Sequence, residues 1–218
     1  MKKVKHIISN GNQVLHEIDR NHRLIEGFTD AVVTLPKLYP SKNDMEHVAQ
    51  FKEQPYIVIA PASVWFTKQF PADKWISFIH SLPNSSYVYL LGAPTDFELC
   101  EEIYSQCSHL NVMNLSGKLN FLQSAALMKD AQMNYVNDSA PMHFASAVNA
   151  PVTAVFCSTI PAFGFGPLSN HRFIIEVKEQ LDCRPCGLHG KTTCPKGHFN
   201  CANLITNEQL LSTLVSEV

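Results

Sequence analysis

The sequence has almost no excess charge of either sign, no long apolar run and no internal repeat. Its 218 residues carry a formal net charge of −2, so the composition indicates neither bulk nucleic acid nor an acidic membrane as a partner. No apolar stretch approaches the ~20 residues that a transmembrane helix requires. The basic first segment, MKKVKHIISNGNQ, lacks the apolar core and the cleavage site of a signal peptide. We therefore expect no nucleic-acid partner and at most a peripheral contact with a membrane.

Two further absences concern export and cofactors. The seven cysteines occur without an export signal, which is typical of a reducing compartment and predicts a cytoplasmic protein without disulfides. The glycine-rich stretch GFGPLS, after Phe163, does not complete the G-x-G-x-x-G pattern, so a dinucleotide cofactor is not expected.

What the chain does contain is an alternation of short apolar runs with amphipathic segments, which starts at Pro55. Strands that alternate with helices of this length indicate right-handed βαβ units. The predicted fold class is α/β, a Rossmann-like open parallel sheet with helices on both faces, over residues 55–218. Strands are predicted at 56–60, 87–92, 133–137, 152–157 and 172–177, with a short strand and turn at 111–117. Helices are predicted at 71–82, 94–107, 120–131, 138–148 and 206–215.

Residues 1–54 differ from the rest in being polar and only weakly periodic. The segment 16–28 is a candidate helix, and the proline-punctuated segment 34–44 is a candidate linker. We therefore place a domain boundary near residue 54.

Three loops are candidates for a ligand site, because ligands of such sheets bind beyond the carboxyl ends of the strands. They cover residues 60–71, 115–119 and 137–147. A helix N-terminus offers free backbone N–H groups and about half a positive charge, which suits a phosphate. The candidate side chains that add donors there are Ser63, Thr67, Lys68 and His143.

Each candidate also has an ordinary structural explanation. Asp138 or Ser139 can serve only as a helix cap, and Pro141 fits the first turn of any helix. A single histidine in an apolar helix is usually a satisfied core residue, and a single lysine such as Lys68 is usually a solvated surface residue. The spacing alone leaves these alternatives open.

Five segments taken together resemble a known family. They resemble the C-terminal half of the bacterial ADP-heptose:lipopolysaccharide heptosyltransferases, which are glycosyltransferases of GT-B architecture, and the resemblance covers about residues 55–215. The NDSAPMH element between a strand and a helix is the most specific part. The segments, in order, are PASVWFTKQFPADKW (61–75), LLGAPTDFE (90–98), NLSGKLNFLQSAALMKDA (114–131), NDSAPMHFASAVNAPVTAVF (137–156) and CRPCGLHGKTTCPKGHFNC (183–201).

The resemblance implies a function and a place for it. It implies inverting transfer of a heptose from a nucleotide diphosphate donor, ADP-heptose, to the inner core of lipopolysaccharide. This chain would supply the donor-binding half of the GT-B fold, in the cytoplasm or at the inner face of the inner membrane. No cofactor is expected for the chemistry.

The resemblance also implies roles for individual residues. Lys68 and His143 would stabilise the charge that grows on the leaving nucleoside diphosphate, which is the catalytic role. Gly117, Lys118 and Leu119 would contact the nucleoside. The remaining donor-binding positions are Ser63, Thr67, Asp138, Ser139 and Ala140.

The chain departs from the resembled family at its N-terminus. Members have a further N-terminal domain that binds the acceptor and supplies a carboxylate general base. Residues 1–54 are too short for that domain. They resemble only its last strand, at 2–9, and the interdomain linker, with the candidate helix 16–28 between them. We therefore expect this chain alone to bind donor without transferring the sugar. Two other hypotheses stay open: a transferase for another nucleotide sugar, and a noncatalytic zinc-stabilised module that binds a nucleotide or a protein.

The cysteines near the C-terminus form a separate candidate site. A C-x-x-C pair with two further cysteines suits a tetrahedral structural zinc. The second half lacks the short C-x-x-C spacing, and similar cysteines in the resembled family can be packing residues or can form disulfides after purification. The candidate ligands are Cys183, Cys186, Cys194 and Cys201.

Overall fold

The computed structural model describes residues 9–10, 13–30, 32–108 and 111–214. Their main feature is a six-stranded sheet in which every neighbouring pair of strands is parallel. The predicted α/β Rossmann-like fold is confirmed. The strands are β3 (Tyr56–Ala60), β4 (Tyr87–Leu90), β5 (Val112–Asn114), β6 (Met133–Asn137), β7 (Val152–Phe156) and β8 (Arg172–Glu176). Their order across the sheet is β5-β4-β3-β6-β7-β8.

The helices cover both faces of this sheet, and each face has its own core. Side chains of strand β3 pack alternately in the two cores, because Ile57 and Ile59 point to one face and Tyr56 and Val58 to the other. The first core includes α3 (Ala72–His80), α4 (Phe97–Gln106), α7 (Asn200–Asn203) and α8 (Asn207–Leu211). The second includes α2 (Lys42–Val48), α5 (Phe121–Lys129) and α6 (Ala140–Ala147).

Local sequence explains the better-defined helices. In α3 the apolar residues recur at helical spacing, and Trp75, Phe78 and Ile79 are completely buried. Helix α5 begins after Asn120, whose side chain and that of Gln123, three residues later, form a capping box.

Helix α6 begins two residues later than predicted, at Ala140. Strand β6 ends at Asn137, as predicted, but the backbone N–H of Asp138 still donates to Val155 O of β7 at 3.2 Å. Ser139, the N-cap residue, is extended, with φ −155° and ψ 177°. The later start of α6 leaves these two polar residues between strand and helix, at the carboxyl edge of the sheet.

The segment before residue 55 packs against the larger domain where it is described. Its elements are a two-stranded antiparallel pair, β1 (Ser9–Asn10) and β2 (Gln13–Val14), then α1 (Glu17–Arg23) and α2. Lys52 Nζ pairs with Asp130 at 2.6 Å, and Glu17 N–H donates to Gly164 O at 2.8 Å. The helix predicted at 16–28 is thus shorter, and α2 takes the end of the predicted linker. The domain boundary near residue 54 remains a prediction.

Two predicted elements extend beyond the described residues. The predicted strand at 2–9 lies outside them except for Ser9, and the helix predicted at 206–215 is described as Asn207–Leu211, with Val215 outside. Among the described residues, no helix is both long enough and apolar enough to cross a membrane.

Candidate functional site

The candidate site lies at the carboxyl edge of the sheet, between β3 and β6. The chain proceeds from β3 to β4 and β5 on one side and then returns to β6 on the other. This reversal of strand order is the switch point at which open α/β sheets bind ligands. Lys68 follows β3, Asp138 follows β6, and Thr159 follows the next strand, β7.

These three residues form one connected polar group. Lys68 Nζ lies 2.8 Å from Asp138 Oδ2, and both side chains are largely buried, with 17% and 9% of their surface exposed. Thr159 Oγ1 donates to the same oxygen, Asp138 Oδ2, at 2.7 Å. A buried carboxylate is costly unless it is paired and hydrogen-bonded, and here it is both. Asp138 therefore fixes the position of the Lys68 ammonium at the switch point.

The N-terminus of α6 opens beside this group and is not closed by a side chain. Ser139 is the N-cap residue, but its hydroxyl makes no capping bond to the helix and lies 3.4 Å from Asn137 O. Asp138 does not cap the helix either, since its carboxylate holds Lys68. The alternative that these two residues serve only as caps is therefore wrong. The first N–H groups of a helix have no intrahelical partner, so this end is available to an anion.

His143 lies one turn into α6 and interacts electrostatically with Asp138 and Lys68. Partial burial lowers its pKa, the Asp138 carboxylate opposes that lowering, and His16 and Lys68 add to it. His143 also remains exposed to solvent, so we expect only a modest lowering of its pKa. A pKa below the usual value keeps the imidazole neutral at neutral pH, with one N–H to donate.

Asn137 attaches the Lys68 loop to β6. Its side chain is completely buried; Nδ2 donates to Pro61 O at 2.7 Å, and Oδ1 accepts from Phe70 N–H at 3.0 Å. These bonds tie both ends of the loop that carries Lys68 to the strand that carries Asp138. Sequence reasoning did not assign this role, although Asn137 stands directly before Asp138.

Thr67 is not part of the ligand-facing surface. Its side chain is buried, and Oγ1 accepts from Lys191 N–H at 2.8 Å and from Ser158 Oγ at 3.0 Å. The hydroxyl thus connects the Lys68 loop to the cysteine-containing segment, which gives Thr67 a structural role, and its part in donor binding stays a prediction. Ser63 remains half-buried in the same loop, where its N–H donates to Gln69 Oε1 at 3.3 Å.

Gly117, Lys118 and Leu119 lie at the same edge but farther along the sheet. They follow β5, which is separated from β6 by three strand spacings, about 14 Å. Gly117 has φ +71°, and a Cβ there would approach Pro94 Cα to 3.1 Å, so the turn requires glycine. Gly117 and Lys118 are exposed. Among the described contacts, none joins this turn to the Lys68 group.

The four cysteines predicted to bind zinc do not form a metal site in the part of the chain described. No group of three or more His, Cys, Asp or Glu side chains there is arranged to hold an ion. Cys201 lies in α7 and packs in the core, and burial raises the pKa of its thiol to about 11. Cys183 lies 3.9 Å from the His198 ring, and all four thiols are unpaired. A zinc site at these four cysteines stays a prediction.

The segment that carries these cysteines instead forms a wall of the candidate site. Gly190 has φ +81°, and a Cβ there would lie 2.9 Å from Lys68 Cγ and 2.9 Å from Trp65 Cβ. Arg184, between the first two cysteines, donates through Nε to Cys157 O at 2.7 Å. Sequence reasoning missed Arg184 and Thr159. The carboxyl-edge rule would have identified Thr159, because it follows a predicted strand.

Comparison with known proteins gives a consistent result. Residues 3–194 match the model of "Glycosyltransferase family 9 (heptosyltransferase)". Lipopolysaccharide heptosyltransferase 3 of Escherichia coli strain K12 is 31% identical over 157 residues, which are 68% of this chain and 46% of that protein.

Solved structures agree in fold. The E. coli ADP-heptose lipopolysaccharide heptosyltransferase II superposes with a TM-score of 0.69 at 23% identity, covering 85% of this chain and 54% of that one. The E. coli heptosyltransferase WaaC, determined with ADP, superposes with a TM-score of 0.62 at 17% identity, covering 92% and 56%. The chain spans about half the length of these proteins. Since the family model covers most of its residues, the chain belongs to glycosyltransferase family 9, the heptosyltransferase family.

Proposed function

We propose that this chain is the donor-binding half of a heptosyltransferase and that it binds ADP-heptose at the carboxyl edge of its sheet. The observation that supports this most is the uncapped N-terminus of α6 beside the buried Lys68–Asp138 pair. An open helix end and a fixed ammonium at a switch point suit a diphosphate. Membership of family 9 supports a heptose as the sugar.

The Lys68–Asp138 pair is compatible with phosphate binding. An ammonium has three N–H donors, and Asp138 uses one of them. The other two can donate to phosphate oxygens while Asp138 and Thr159 keep the lysine in place. The backbone N–H groups of Ser139 and Ala140, and one ring N–H of His143, complete the proposed diphosphate site.

The chemistry assigns these groups a role in the transition state. In the proposed reaction the bond between the sugar anomeric carbon and the diphosphate oxygen breaks, and a bond to an acceptor hydroxyl oxygen forms on the opposite face. The electron pair of the broken bond passes to ADP, so negative charge grows where Lys68 and His143 stand. Fixed donors stabilise that charge most in the transition state.

Other parts of the proposal lie beyond this site. The nucleoside would extend along the edge toward Gly117–Leu119, where the exposed turn presents backbone groups. The acceptor, the inner core of lipopolysaccharide, and the base that takes its hydroxyl proton would be bound by a further N-terminal domain. The reaction would take place in the cytoplasm, at the inner face of the inner membrane.

Calorimetric titration of the chain with ADP, UDP, GDP and adenosine tests the proposal. We expect ADP to bind more tightly than UDP or GDP, and adenosine to bind much more weakly because it has no diphosphate. A preference for UDP or GDP would indicate a transferase for another nucleotide sugar. Absence of binding by every nucleotide diphosphate and by ADP-heptose would refute the proposal and favour a noncatalytic module.

A further inference from the structure

Beyond the residues predicted from the sequence, the loop after β7 contacts the Lys68–Asp138 pair. Thr159 has 1% of its surface exposed, and its hydroxyl donates to Asp138 Oδ2 at 2.7 Å. The same oxygen accepts from Lys68 Nζ at 2.8 Å. A carboxylate held by one donor can rotate and exchange its two oxygens. A second donor on the same oxygen restricts that rotation and thereby fixes the position of the lysine.

Thr159 is itself held from the cysteine-containing segment. Arg184 Nη2 donates to Thr159 O at 2.6 Å and to Phe156 O at 3.1 Å, and Nε donates to Cys157 O at 2.7 Å. Its guanidinium also pairs with Glu176 at the end of β8. These carbonyls lie at and beyond the end of β7. One planar guanidinium with several donors in a fixed arrangement therefore sets the course of the loop.

A second set of bonds connects the same loop to the Lys68 loop. Ser158 N–H donates to Thr67 O at 3.2 Å, and Ser158 Oγ donates to Thr67 Oγ1 at 3.0 Å. Cys186 N–H donates to Ser158 O at 2.9 Å. The loop from 156 to 159 is thus attached to Thr67, directly before the lysine, and through Thr159 to Asp138, so a shift of this loop would displace both partners of the ion pair.

We infer that Thr159 is a positioning residue for the donor diphosphate, acting through Asp138 on Lys68, and that Arg184 holds Thr159 in place. The inference rests on the proposed function of this site. The Thr159 hydroxyl donates to the charged Asp138 carboxylate, and such a hydrogen bond is stronger than one between neutral groups. Loss of that bond leaves the ammonium less well placed without removing its charge.

The first test needs no nucleotide. The rate at which Lys68 is acylated by acetic anhydride, followed by peptide mass spectrometry, reports how firmly the ammonium is held. Thr159→Val, which keeps the shape and removes the hydroxyl, should raise this rate several-fold, while Thr159→Ser should leave it unchanged. The exposed Lys42 provides the internal control, because its rate should be the same in all variants. An unchanged Lys68 rate in a folded Thr159→Val protein would overturn the inference, whatever the chain binds.

The second test uses ADP in a double-mutant cycle. Thr159→Val should weaken ADP binding about tenfold, and Thr159→Ser should restore binding to near the original level. In a Lys68→Ala background the valine change should add little, because the residue through which it acts is gone. Additive losses, or an equal loss for adenosine, would mean that Thr159 only supports the fold. If no form binds ADP while Lys68 acylation still depends on Thr159, the proposed function fails and the positioning of Lys68 stands.

Arg184→Lys provides an independent variant if the valine protein does not fold. It keeps the positive charge near Glu176 but cannot reproduce the contacts with three carbonyls. We expect faster Lys68 acylation and weaker ADP binding, both smaller in extent than for Thr159→Val. Normal values for both would show that the loop after β7 keeps its course without Arg184.

Discussion

Helices α5 and α6 pack against each other on the same face of the sheet, yet their N-termini are built differently. At the start of α5, Asn120 Oδ1 accepts from Gln123 N–H at 2.8 Å, and Gln123 Oε1 accepts from Asn120 N–H at 3.0 Å. At the start of α6, Ser139 makes no such bond. The rings of Phe121 and Phe144 meet at 5.4 Å between the two helices. One helix end thus satisfies its own backbone groups, and its neighbour leaves them open.

The difference between the two helix ends separates a capped end that stabilises the fold from an uncapped end that can bind a ligand. A reciprocal cap stabilises a helix by satisfying two donors that would otherwise need water. An uncapped helix end lacks that stabilisation. It is favourable only where another group, such as a ligand, can approach the free N–H groups. At α6 the neighbouring residues are a buried ion pair and an imidazole, whereas Asn120 and Gln123 close α5 by themselves. Changes at α6 should therefore affect ligand binding, and changes at α5 should affect folding.

The largest expected effect is at the open end. Lys68→Ala should weaken ADP binding by about 1.5–3 kcal/mol, the range for a hydrogen bond to a charged group. Binding of adenosine should stay the same, because adenosine lacks the phosphates. Calorimetry measures both. Lys42→Ala, which removes an exposed lysine of α2, is the matched control and should bind ADP normally. Equal losses for ADP and adenosine would show that Lys68 supports the fold.

A smaller effect of the opposite kind is expected at the capped end. Asn120→Ala should lower the free energy of unfolding by about 1 kcal/mol, because it removes a capping acceptor. Ser139→Ala should change the same quantity by less than about 0.5 kcal/mol, since its hydroxyl caps nothing. Urea denaturation compares the two variants. Equal destabilisation would mean that α6 depends on Ser139 as α5 depends on Asn120, and the comparison between the two ends would be wrong.

The smallest expected effect is the pH dependence at His143. Its pKa is lowered in the folded protein, so the unfolded chain takes up the proton more readily. This contribution to stability is present above about pH 6.5, the usual histidine value, and is lost as the pH falls from there through the folded pKa. His143→Gln should therefore lose slightly less stability than the original protein between pH 7.5 and 5.5, measured by thermal unfolding. A larger loss of stability in the glutamine variant would show that the pKa of His143 is raised, and not lowered, in the folded protein.

Bound ADP should raise the pKa of His143, which is lowered in the free protein. A diphosphate beside the ring favours the imidazolium, so binding near pH 6 should be accompanied by proton uptake. Calorimetric titrations in two buffers of different ionisation enthalpy measure that uptake. His143→Gln should abolish it while Lys42→Ala retains it. Binding without proton uptake in the original protein would place the diphosphate away from His143.

Periodic patterns in the sequence were sufficient for the fold. The continuous run 56–60 predicted a strand buried on both faces, and β3 occupies those five residues. The Asn120–Gln123 cap was also predictable, since both partners lie within one helical turn. These signals are local, and local patterns need no knowledge of the rest of the chain. The start of α6 was misplaced because Asp138 and Ser139 resemble caps, whereas the backbone N–H of Asp138 bonds to Val155 O of β7 and the helix begins only at Ala140.

The sequence by itself determined that polar residues would collect at one edge of a parallel sheet, because every strand in it ends in the same direction. Only the tertiary structure decided which of them meet. Strand order places β3 beside β6, which pairs Lys68 with Asp138, and it places β7 next, which brings in Thr159. The same long-range packing buries the side chains of Thr67 and Cys201, which the sequence did not indicate. Contacts between residues that follow different strands depend on which strands are neighbours in the sheet. The periodicity of the sequence does not specify that order.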